Sequence, residues 1–259
     1  MDLGIAGKTA IICGGSKGLG RGCAEHLAQA GVHLVLNARS SGPLEQAASE
    51  IAAKWGVTVQ PIAADITSAE GRAKVLAAAP RPDILVTNAG GPPAGVWSDW
   101  GEAEWEAAVR ANMMTPIHLI TAVLPGMTER GWGRIINITS TSVRAPIAAL
   151  GLSGAARSGL TGFVAGTSRQ VAKYGVTINN LLPGTHDTDR MVSLLETRSK
   201  NAGISLEAAR AEVLAANPSG RVGTADEFGA TCAFLCSVHA GYIVGQNLLL
   251  DGGATNLTT

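Results

Sequence analysis

The sequence predicts an α/β fold in which seven parallel strands form one sheet with helices on both faces. Short runs of β-branched and aliphatic residues alternate with longer alanine-rich stretches of helical period, a pattern typical of consecutive βαβ units. Glycine makes up 33 of the 259 residues and follows no period, which excludes a collagen-like chain. Because 46% of the residues are hydrophobic, a chain of this length can bury a core without disulfides or a structural metal. We therefore expect a single domain over residues 1–259.

Strand candidates follow one another at the spacing of a parallel sheet with helical crossovers. They cover residues 9–13, 33–37, 57–62, 84–87, 134–139, 177–182 and 247–250. Helical stretches are predicted over residues 19–30, 44–55, 102–129 and 151–174. The polar segment 187–217 is predicted to be a partly helical insertion near the substrate, and no linker or repeat marks a domain boundary.

The charge balance excludes several classes of partner. Twenty basic and twenty acidic residues give a formal net charge of zero, so no basic surface is expected to bind nucleic acid or an anionic membrane. The amino terminus lacks the basic and apolar regions of a signal peptide, and no window is expected to reach the roughly 20 apolar residues of a membrane span. We expect a cytoplasmic protein without a membrane partner.

Four cysteines lie in apolar stretches: Cys13, Cys23, Cys232 and Cys236. The sequence contains neither CxxC pairs nor clustered histidines, so no metal site is predicted. We expect buried free thiols.

A glycine-rich turn directly follows the first predicted strand. Its predicted phosphate-binding residues are Gly14, Ser16, Lys17, Gly18, Leu19 and Gly20. Glycines here let the backbone approach a pyrophosphate, while the N–H groups and dipole of the following helix favour its negative charge. A tight turn without a ligand is the alternative. The position of the turn favours a Rossmann-type doubly wound sheet that binds a dinucleotide.

The GxxxGxG spacing over residues 14–20 is one of several motifs that occur in the same order in a known family. The others are Asp65 with Ile66, the segment Asn88-Ala89-Gly90, Asn112, Ser140, and Pro183-Gly184 with Thr188. Over residues 7–253 the chain therefore resembles the short-chain dehydrogenases/reductases, and among them the bacterial 3-oxoacyl-ACP reductase-like members. The resemblance implies a homotetramer and an oxidoreductase that acts on a small-molecule carbonyl or alcohol.

The resemblance also implies roles for these residues. Those it assigns to the cofactor, besides the glycine-rich turn, are Asp65, Ile66, Asn88, Ala89, Gly90, Pro183, Gly184 and Thr188. Those it assigns to catalysis are Asn112 and Ser140.

The end of the second predicted strand indicates which dinucleotide is bound. A carboxylate about twenty residues beyond the glycines bonds a free ribose 2′-hydroxyl in NAD-binding proteins. Here Ala38 stands at the position of the family's aspartate, Arg39 follows it, and Lys17 lies in the glycine-rich turn. Arg39 can bind a 2′-phosphate through two hydrogen bonds and Lys17 adds a charge, so the predicted cofactor is NADP(H). The alternative is that both are solvated surface charges.

The family's Tyr-x-x-x-Lys motif is replaced in this chain. Thirteen residues after Ser140 stands Ser153, and four residues further stands Arg157. In the family, the tyrosine donates a proton to the substrate oxygen and the lysine lowers the tyrosine's pKa. Ser153 can donate a hydrogen bond but is a poor acid. Arg157 can hold the nicotinamide ribose but cannot relay a proton.

Three other side chains near these motifs carry weaker expectations. His186 titrates in the right range for a proton donor, although a lone histidine in a loop is more often structural. Asp187 is expected to cap the helix that follows it. Arg144 is expected at the surface or in contact with a substrate anion.

Two functions remain open from the sequence. The first is an NADP(H)-dependent oxidoreductase of a carbonyl or alcohol, with an atypical catalytic site made by Asn112, Ser140, Ser153 and Arg157. The alternative is an NADP(H)-binding protein with little or no redox activity, acting as a sensor or an inactive subunit. Resemblance in fold does not decide between them.

Overall fold

The computed structural model describes residues 1–257, so positions 258–259 of the predicted domain lie outside the described residues. Within them the strands are β1 Thr9–Cys13, β2 His33–Ala38, β3 Val59–Ala63, β4 Ile84–Thr87, β5 Gly133–Ile138, β6 Val176–Pro183 and β7 Asn247–Leu250. They form one seven-stranded sheet in the order β3-β2-β1-β4-β5-β6-β7, and all neighbouring strands are parallel. The predicted single-domain α/β fold with a seven-stranded parallel sheet is confirmed.

Helices connect and flank these strands. In the described part of the chain they are α1 Gly18–Gln29, α2 Ser41–Trp55, α3 Ala69–Ala78, α4 Glu102–Val109, α5 Thr115–Glu129, α6 Gly151–Val171, α7 Asp189–Ala202, α8 Leu206–Ala215 and α9 Ala225–Cys236. A π-helical turn, Arg110–Met114, joins α4 to α5, and a 3₁₀ turn, Ala172–Tyr174, extends α6. The stretches predicted over 102–129 and 151–174 therefore each form one helical run.

The helices cover both faces of the sheet. Leu27 of α1, Ile51 of α2 and Phe228 of α9 share one core cluster with strand residues. Leu119 of α5 and Leu160 of α6 belong to the cluster on the opposite face. Because both faces are covered at the centre of the sheet, β1 and β4 are buried along nearly their whole length and show no alternating pattern.

The strand order changes direction between β1 and β4. β1 pairs with β2 on one side and with β4 on the other, so the chain crosses here from one half of the sheet to the other. In open parallel sheets, the carboxyl ends of such strands leave a crevice that binds ligands. The glycine-rich turn after β1 and the segment Asn88-Ala89-Gly90 after β4 lie at this crevice.

The structure departs from the sequence expectations at three helical segments. α3 lies where the sequence pattern predicts no helix, because it buries only Gly71 and Val75 and so has no apolar stripe. α9 was equally unpredicted, since its cysteines, threonine and glycine are weak helix formers. The insertion 187–217 holds two full helices, α7 and α8, and is more regular than expected. The four cysteines are buried and free, as predicted.

The helical run Glu102–Glu129 corrects one expectation. By length and mean hydropathy it is long and apolar enough to cross a membrane, although no such window was expected. Its apolar content has a packing reason, because Leu119, Ile120, Val123 and Met127 are buried in a core cluster with strand residues. A core helix packed on a sheet meets the same criteria of length and composition.

Helices α1 and α9 contact each other through their backbones. A Cβ atom on Gly22 would lie 2.1 Å from the Ala225 carbonyl oxygen, and one on Gly229 would lie 2.2 Å from the Gly22 carbonyl oxygen. Any larger residue at these two positions would push the helices apart. The packing of this face of the sheet therefore depends on glycine.

Gly22→Ala is expected to lower the free energy of unfolding by about 1–3 kcal/mol, because the added methyl group overlaps the backbone of α9. Gly42→Ala is the matched control, since a Cβ atom on Gly42 in the first turn of α2 meets no atom within 4 Å. Urea unfolding followed by circular dichroism measures both variants. Equal stability losses in the two variants would contradict the backbone contact.

Candidate cofactor and catalytic site

The glycine-rich turn joins β1 directly to α1. Gly14 and Gly18 have φ angles of 65° and 58°, which glycine adopts without strain. A Cβ atom on Gly20 would lie 2.3 Å from the Gly14 carbonyl oxygen, and one on Gly14 would lie 2.6 Å from Asn88 Nδ2. Side chains at these positions would therefore collide with the turn itself and with Asn88, so glycine allows the ends of β1 and β4 to approach closely.

The amino terminus of α1 lies within this turn. Its N-cap residue, Lys17, has an extended backbone and makes no side-chain hydrogen bond to the helix. Ser16 and Leu19 are half-buried on either side of it. A helix terminus with unbonded N–H groups and a positive dipole end favours a phosphate group.

Arg39, Asp65 and Ile66, which the sequence assigned to the cofactor, lie beyond the ends of β2 and β3. Asp65 accepts hydrogen bonds from the Thr67 backbone N–H at 3.0 Å and from the Thr67 hydroxyl at 2.9 Å, and these bonds lower the pKa of Asp65. The charge of the exposed Arg39 also lowers this pKa, so the guanidinium lies near the carboxylate. Ile66 is buried and lines a small cleft together with Ala89.

Lys17 and Arg39 lie near different carboxylates, Asp189 and Asp65. The Lys17 ammonium pairs with the carboxylate of Asp189 at the start of α7, and both side chains are exposed. This pairing lowers the pKa of Asp189. α7 thus provides a counter-charge for Lys17, and the expectation that both cations face the same ribose stays a prediction.

The loop after β6 reaches the glycine-rich turn. Pro183 ends β6, Gly184 begins the loop, and Thr188 is the N-cap of α7, where its Oγ1 accepts a hydrogen bond from the Met191 N–H at 3.4 Å. A Cβ atom on Gly18 would lie 3.6 Å from Thr188 Cγ2. The fold thus brings the motifs at residues 14–20 and 183–188 together across the crevice.

Ser153 and Arg157 lie one turn apart on a buried side of α6. They are 5% and 7% exposed, and Arg157 Nη1 donates a hydrogen bond to Ser153 Oγ. Burial, and secondarily the nearby charge of Arg190, lowers the pKa of Arg157 to about 10. The guanidinium is therefore cationic at neutral pH, and Ser153, whose oxygen is already an acceptor, keeps its own proton for another partner.

Ser140 follows β5 and caps the short 3₁₀ turn Thr141–Val143. Its Oγ accepts hydrogen bonds from the Ser142 N–H at 3.1 Å and from the Ser142 hydroxyl at 2.9 Å. This turn packs against α6, where a Cβ atom on Gly154 would lie 3.8 Å from the Ser142 carbonyl oxygen. The segment of Ser140 therefore lies beside the segment of Ser153.

Asn112 lies in the π-helical turn Arg110–Met114 and is buried. Its Nδ2 donates to the Ala108 carbonyl oxygen at 3.4 Å. The turn packs against α6, because a Cβ atom on Gly159 would lie 2.6 Å from Met113 Sδ. A π turn inside a helix is frequent at functional sites, and this one brings Asn112 beside α6.

His186 is packed into the core. Its ring stands edge-on to Phe228 with the centroids 5.4 Å apart, and a Cβ atom on Gly223 would lie 2.7 Å from its Cδ2. Its Nδ1 lies 3.3 Å from the Gly184 carbonyl oxygen, and burial lowers its pKa. These contacts favour a structural role over the role of proton donor.

Three polar residues complete the description of this region. Asp187 is exposed and is not the cap of α7, because Thr188 takes that position. Arg144 is half-buried directly after the 3₁₀ turn that Ser140 caps. Arg190, which the sequence motifs did not single out, donates from Nη2 to the Pro92 carbonyl oxygen at 2.7 Å. Its position two residues after Thr188 is the sequence feature that could have indicated a place at this site.

Comparison with known proteins identifies the class to which this fold and this crevice belong. Residues 8–199 match the family model described as short chain dehydrogenase. The chain belongs to the short-chain dehydrogenase/reductase family, whose members are NAD(P)-dependent oxidoreductases of carbonyls and alcohols.

Two curated relatives cover nearly the whole chain. The D-beta-hydroxybutyrate dehydrogenase of Cupriavidus necator is 35% identical over 255 residues, which span 96% of this chain and 98% of that protein. The 3-oxoacyl-acyl-carrier-protein reductase FabG of Escherichia coli K12 is 33% identical over 257 residues, which span 97% and 98% of the two chains. The similarity to 3-oxoacyl-ACP reductases is confirmed.

Solved structures extend the comparison. The L-sorbose reductase of Gluconobacter frateurii, complexed with NADPH and L-sorbose, has a TM-score of 0.92 and 30% identity, and the match covers 99% of this chain and 100% of that one. YwfH, an NADPH dependent reductase involved in bacilysin biosynthesis, has a TM-score of 0.91 and 29% identity over 96% and 99% of the two chains.

Protonation of the buried His186 is expected to destabilise the protein. Because the pKa of His186 lies below its ordinary value of 6.5 in the folded protein, the unfolded chain takes up the proton first, and the free energy of unfolding falls as the pH decreases through 6.5. His186→Gln should reduce this fall between about pH 7.5 and 5. Urea unfolding over this range measures it.

His118→Gln is the matched control, because His118 is exposed on α5. It should keep the wild-type pH dependence. A wild-type pH dependence in His186→Gln would show that the buried imidazole is not responsible.

Proposed function

We propose that this protein is an NADP(H)-dependent oxidoreductase that acts on a carbonyl or alcohol through an atypical catalytic site. The observation that carries the proposal is the meeting of three segments at one crevice: the glycine-rich turn, the segment of Asn88 and the loop of Thr188. Membership of the family supports the reaction class. The NADPH in the L-sorbose reductase structure supports the cofactor.

The residues present fit a dinucleotide. Glycine at positions 14 and 20 lets the turn pack closely on itself and on Asn88, and α1 begins without a side-chain cap. The pyrophosphate is therefore assigned to this turn. The full set of proposed cofactor contacts is Gly14, Ser16, Lys17, Gly18, Leu19, Gly20, Arg39, Asp65, Ile66, Asn88, Ala89, Gly90, Arg157, Pro183, Gly184 and Thr188.

The preference for NADP(H) over NAD(H) rests on the end of β2. Ala38 provides no carboxylate for a ribose hydroxyl, and the exposed guanidinium of Arg39 follows it. Lys17 provides a second charge only when it leaves Asp189, so the contribution of Lys17 is smaller than that of Arg39. We assign the 2′-phosphate mainly to Arg39.

NADPH is expected to bind at least about tenfold more tightly than NADH, and Arg39→Ala should remove most of this preference because it removes a charge-assisted contact to phosphate. Isothermal titration calorimetry with both reduced cofactors measures it. Arg81→Ala is the matched control, since Arg81 is exposed near the amino end of β4, at the opposite edge of the sheet. Equal affinities for the two cofactors in the wild type would refute the assignment.

The catalytic proposal concerns Asn112, Ser140, Ser153 and Arg157. Bound NADP(H) would supply or accept a hydride at the substrate carbon, and the proton that completes the alcohol would come from solvent water. Because both serine oxygens already accept hydrogen bonds within the protein, their hydroxyls can donate to the substrate oxygen on which charge develops. Arg157 orients Ser153 and adds a positive charge, but it stays protonated to about pH 10 and so does not relay a proton.

A second candidate function is NADP(H) binding with little or no redox activity, as a sensor or an inactive subunit. The hydrogen bond between Arg157 and Ser153 favours it, because the pair contains no acid that titrates near neutral pH. The two functions differ in one quantity, the turnover of carbonyl substrates by the NADPH-loaded protein. Screening aldehydes, ketones and imines for NADPH oxidation separates them.

The double variant Ser153→Tyr with Arg157→Lys is expected to raise kcat for ketone reduction about tenfold or more, because a phenol with a lowered pKa donates a proton that serine cannot. Each single variant should gain less, so the effects are non-additive. NADPH oxidation, measured with the NADPH affinity of each variant, provides the comparison. Rapid wild-type turnover that Ser153→Ala leaves unchanged would place the proton donor elsewhere.

We further propose a homotetramer in the cytoplasm. Gly162 and Gly166 lie inside α6, and a Cβ atom on either meets nothing within 4 Å. Each glycine inside a helix lowers the stability of the helix by about 1 kcal/mol relative to alanine. A helix face without side chains, however, lets the helix of another subunit approach closely. The four buried free cysteines support a reducing compartment.

A further inference from the structure

The ion pair between Lys17 and Asp189 joins two helix termini across the crevice. Lys17 is the N-cap residue of α1, and Asp189 is the first residue of α7. The backbones are also close there, because a Cβ atom on Gly18 would lie 3.6 Å from Thr188 Cγ2. The pair therefore connects the glycine-rich turn to the loop after β6 at the place where the two segments meet.

The end of β2 lies on the other side of the same turn. The Gly15 N–H donates a hydrogen bond to the Asn37 carbonyl oxygen at 3.0 Å. Lys17 follows Gly15 by two residues, and Arg39 follows Asn37 by two residues. The Lys17 side chain is 73% exposed and has a flexible four-carbon stem, so packing does not hold its ammonium at Asp189. This ammonium is therefore free to turn towards the 2′-phosphate that we assign mainly to Arg39.

Asp189 and a 2′-phosphate are competing partners for this ammonium. The carboxylate of Asp189 is ionised at neutral pH, since the hydrogen bond and charge of Lys17 lower its pKa. A phosphate carries about two negative charges at the same pH, so it attracts the ammonium more strongly than a carboxylate does and repels a carboxylate beside it. The ion pair itself is weak because both side chains are exposed. A phosphate can displace Asp189, but part of its attraction is spent on breaking the pair.

We propose that Asp189 is a specificity-determining residue, which competes with the 2′-phosphate of NADP(H) for Lys17 and thereby limits the preference for NADP(H) over NAD(H). This inference rests on the proposed function and concerns the same site. NAD(H) has no 2′-phosphate and leaves Lys17 paired with Asp189, whereas NADP(H) breaks the pair. Loss of the Asp189 carboxylate therefore favours the binding of NADP(H) over that of NAD(H).

The test is isothermal titration calorimetry of wild type and Asp189→Asn with NADPH and with NADH. The ratio of the two affinities is expected to rise about threefold in Asp189→Asn, because the exposed pair that NADPH must break is a weak one. The two cofactors differ only at the 2′ position. A general disturbance of α7 would change both affinities by the same factor and leave their ratio unchanged.

A double-mutant cycle with Lys17→Met tests whether Asp189 acts through Lys17. Both side chains are exposed, so neither substitution disturbs the core. In the Lys17→Met background, Asp189→Asn is expected to leave the ratio of affinities unchanged, because there is no ammonium to compete for. A threefold rise in that background would show direct repulsion between Asp189 and the phosphate and would overturn the inference.

Asp187→Asn is the matched control, because Asp187 is exposed two residues before Asp189 and the substitution removes the same charge. It should keep the wild-type ratio of affinities. An equal rise in Asp187→Asn would assign the effect to the overall charge of this loop. A lower ratio in Asp189→Asn would mean that Asp189 holds Lys17 in place for the phosphate, which is the opposite of competition. Either result would overturn the inference.

Failure of the inference is distinguishable from failure of the proposed function. If the wild type prefers NADPH and Asp189→Asn has the same ratio of affinities, competition by Asp189 is refuted and the cofactor assignment stands. If the wild type binds neither cofactor, the proposed function itself is refuted, and the inference fails with it.

Discussion

The parallel alignment of the sheet is the constraint on which the rest of the structure depends, because it brings the carboxyl ends of all seven strands to one edge. The chain returns to that edge after β1, β4, β5 and β6, and each return contributes one part of the proposed site. The close approach of the first two ends requires Gly14, whose Cβ atom would lie 2.6 Å from Asn88 Nδ2. Close packing at this glycine therefore determines how near the ends of β1 and β4 lie at the crevice.

Burial of Arg157 has the largest chemical consequence within that crevice. A lysine at the same place can lose its proton when buried, whereas a guanidinium keeps its charge, here with a pKa of about 10. In our proposal the arginine therefore orients Ser153 and stabilises negative charge without moving a proton.

The parts of the fold predicted well from the sequence are those in which burial alone determines the pattern. The bounds of β1 and β4 match the predicted runs 9–13 and 84–87, because buried parallel strands are continuous aliphatic segments. The bounds of β7 also match the predicted run 247–250, although β7 is only partly buried. The motifs at 14–20 and 183–188 were predicted to share a site, and the structure brings them into contact. The helix α3 escaped prediction because it buries too little to produce a period.

The contacts that tie α7 across the crevice could not be predicted from the sequence. Lys17 and Asp189 are 172 positions apart, and Arg190 and Pro92 are 98 positions apart. No local pattern indicates which of several exposed charges will meet over such separations, because the answer depends on where the insertion folds back. His186 illustrates the same limit, since only the three-dimensional packing against Phe228 separates a core imidazole from a catalytic one.

The central claim is that the site holds charge at the substrate oxygen without an acid that titrates near neutral pH. The most direct measurement is the rate constant of NADPH oxidation in a single turnover with a carbonyl substrate found in the screen, followed by absorbance from about pH 6 to 9. We predict a rate constant that stays constant over this range, because Arg157 has a pKa of about 10. A rate constant that changes with an inflection in this range in the wild-type protein would contradict the claim and reveal a different proton donor.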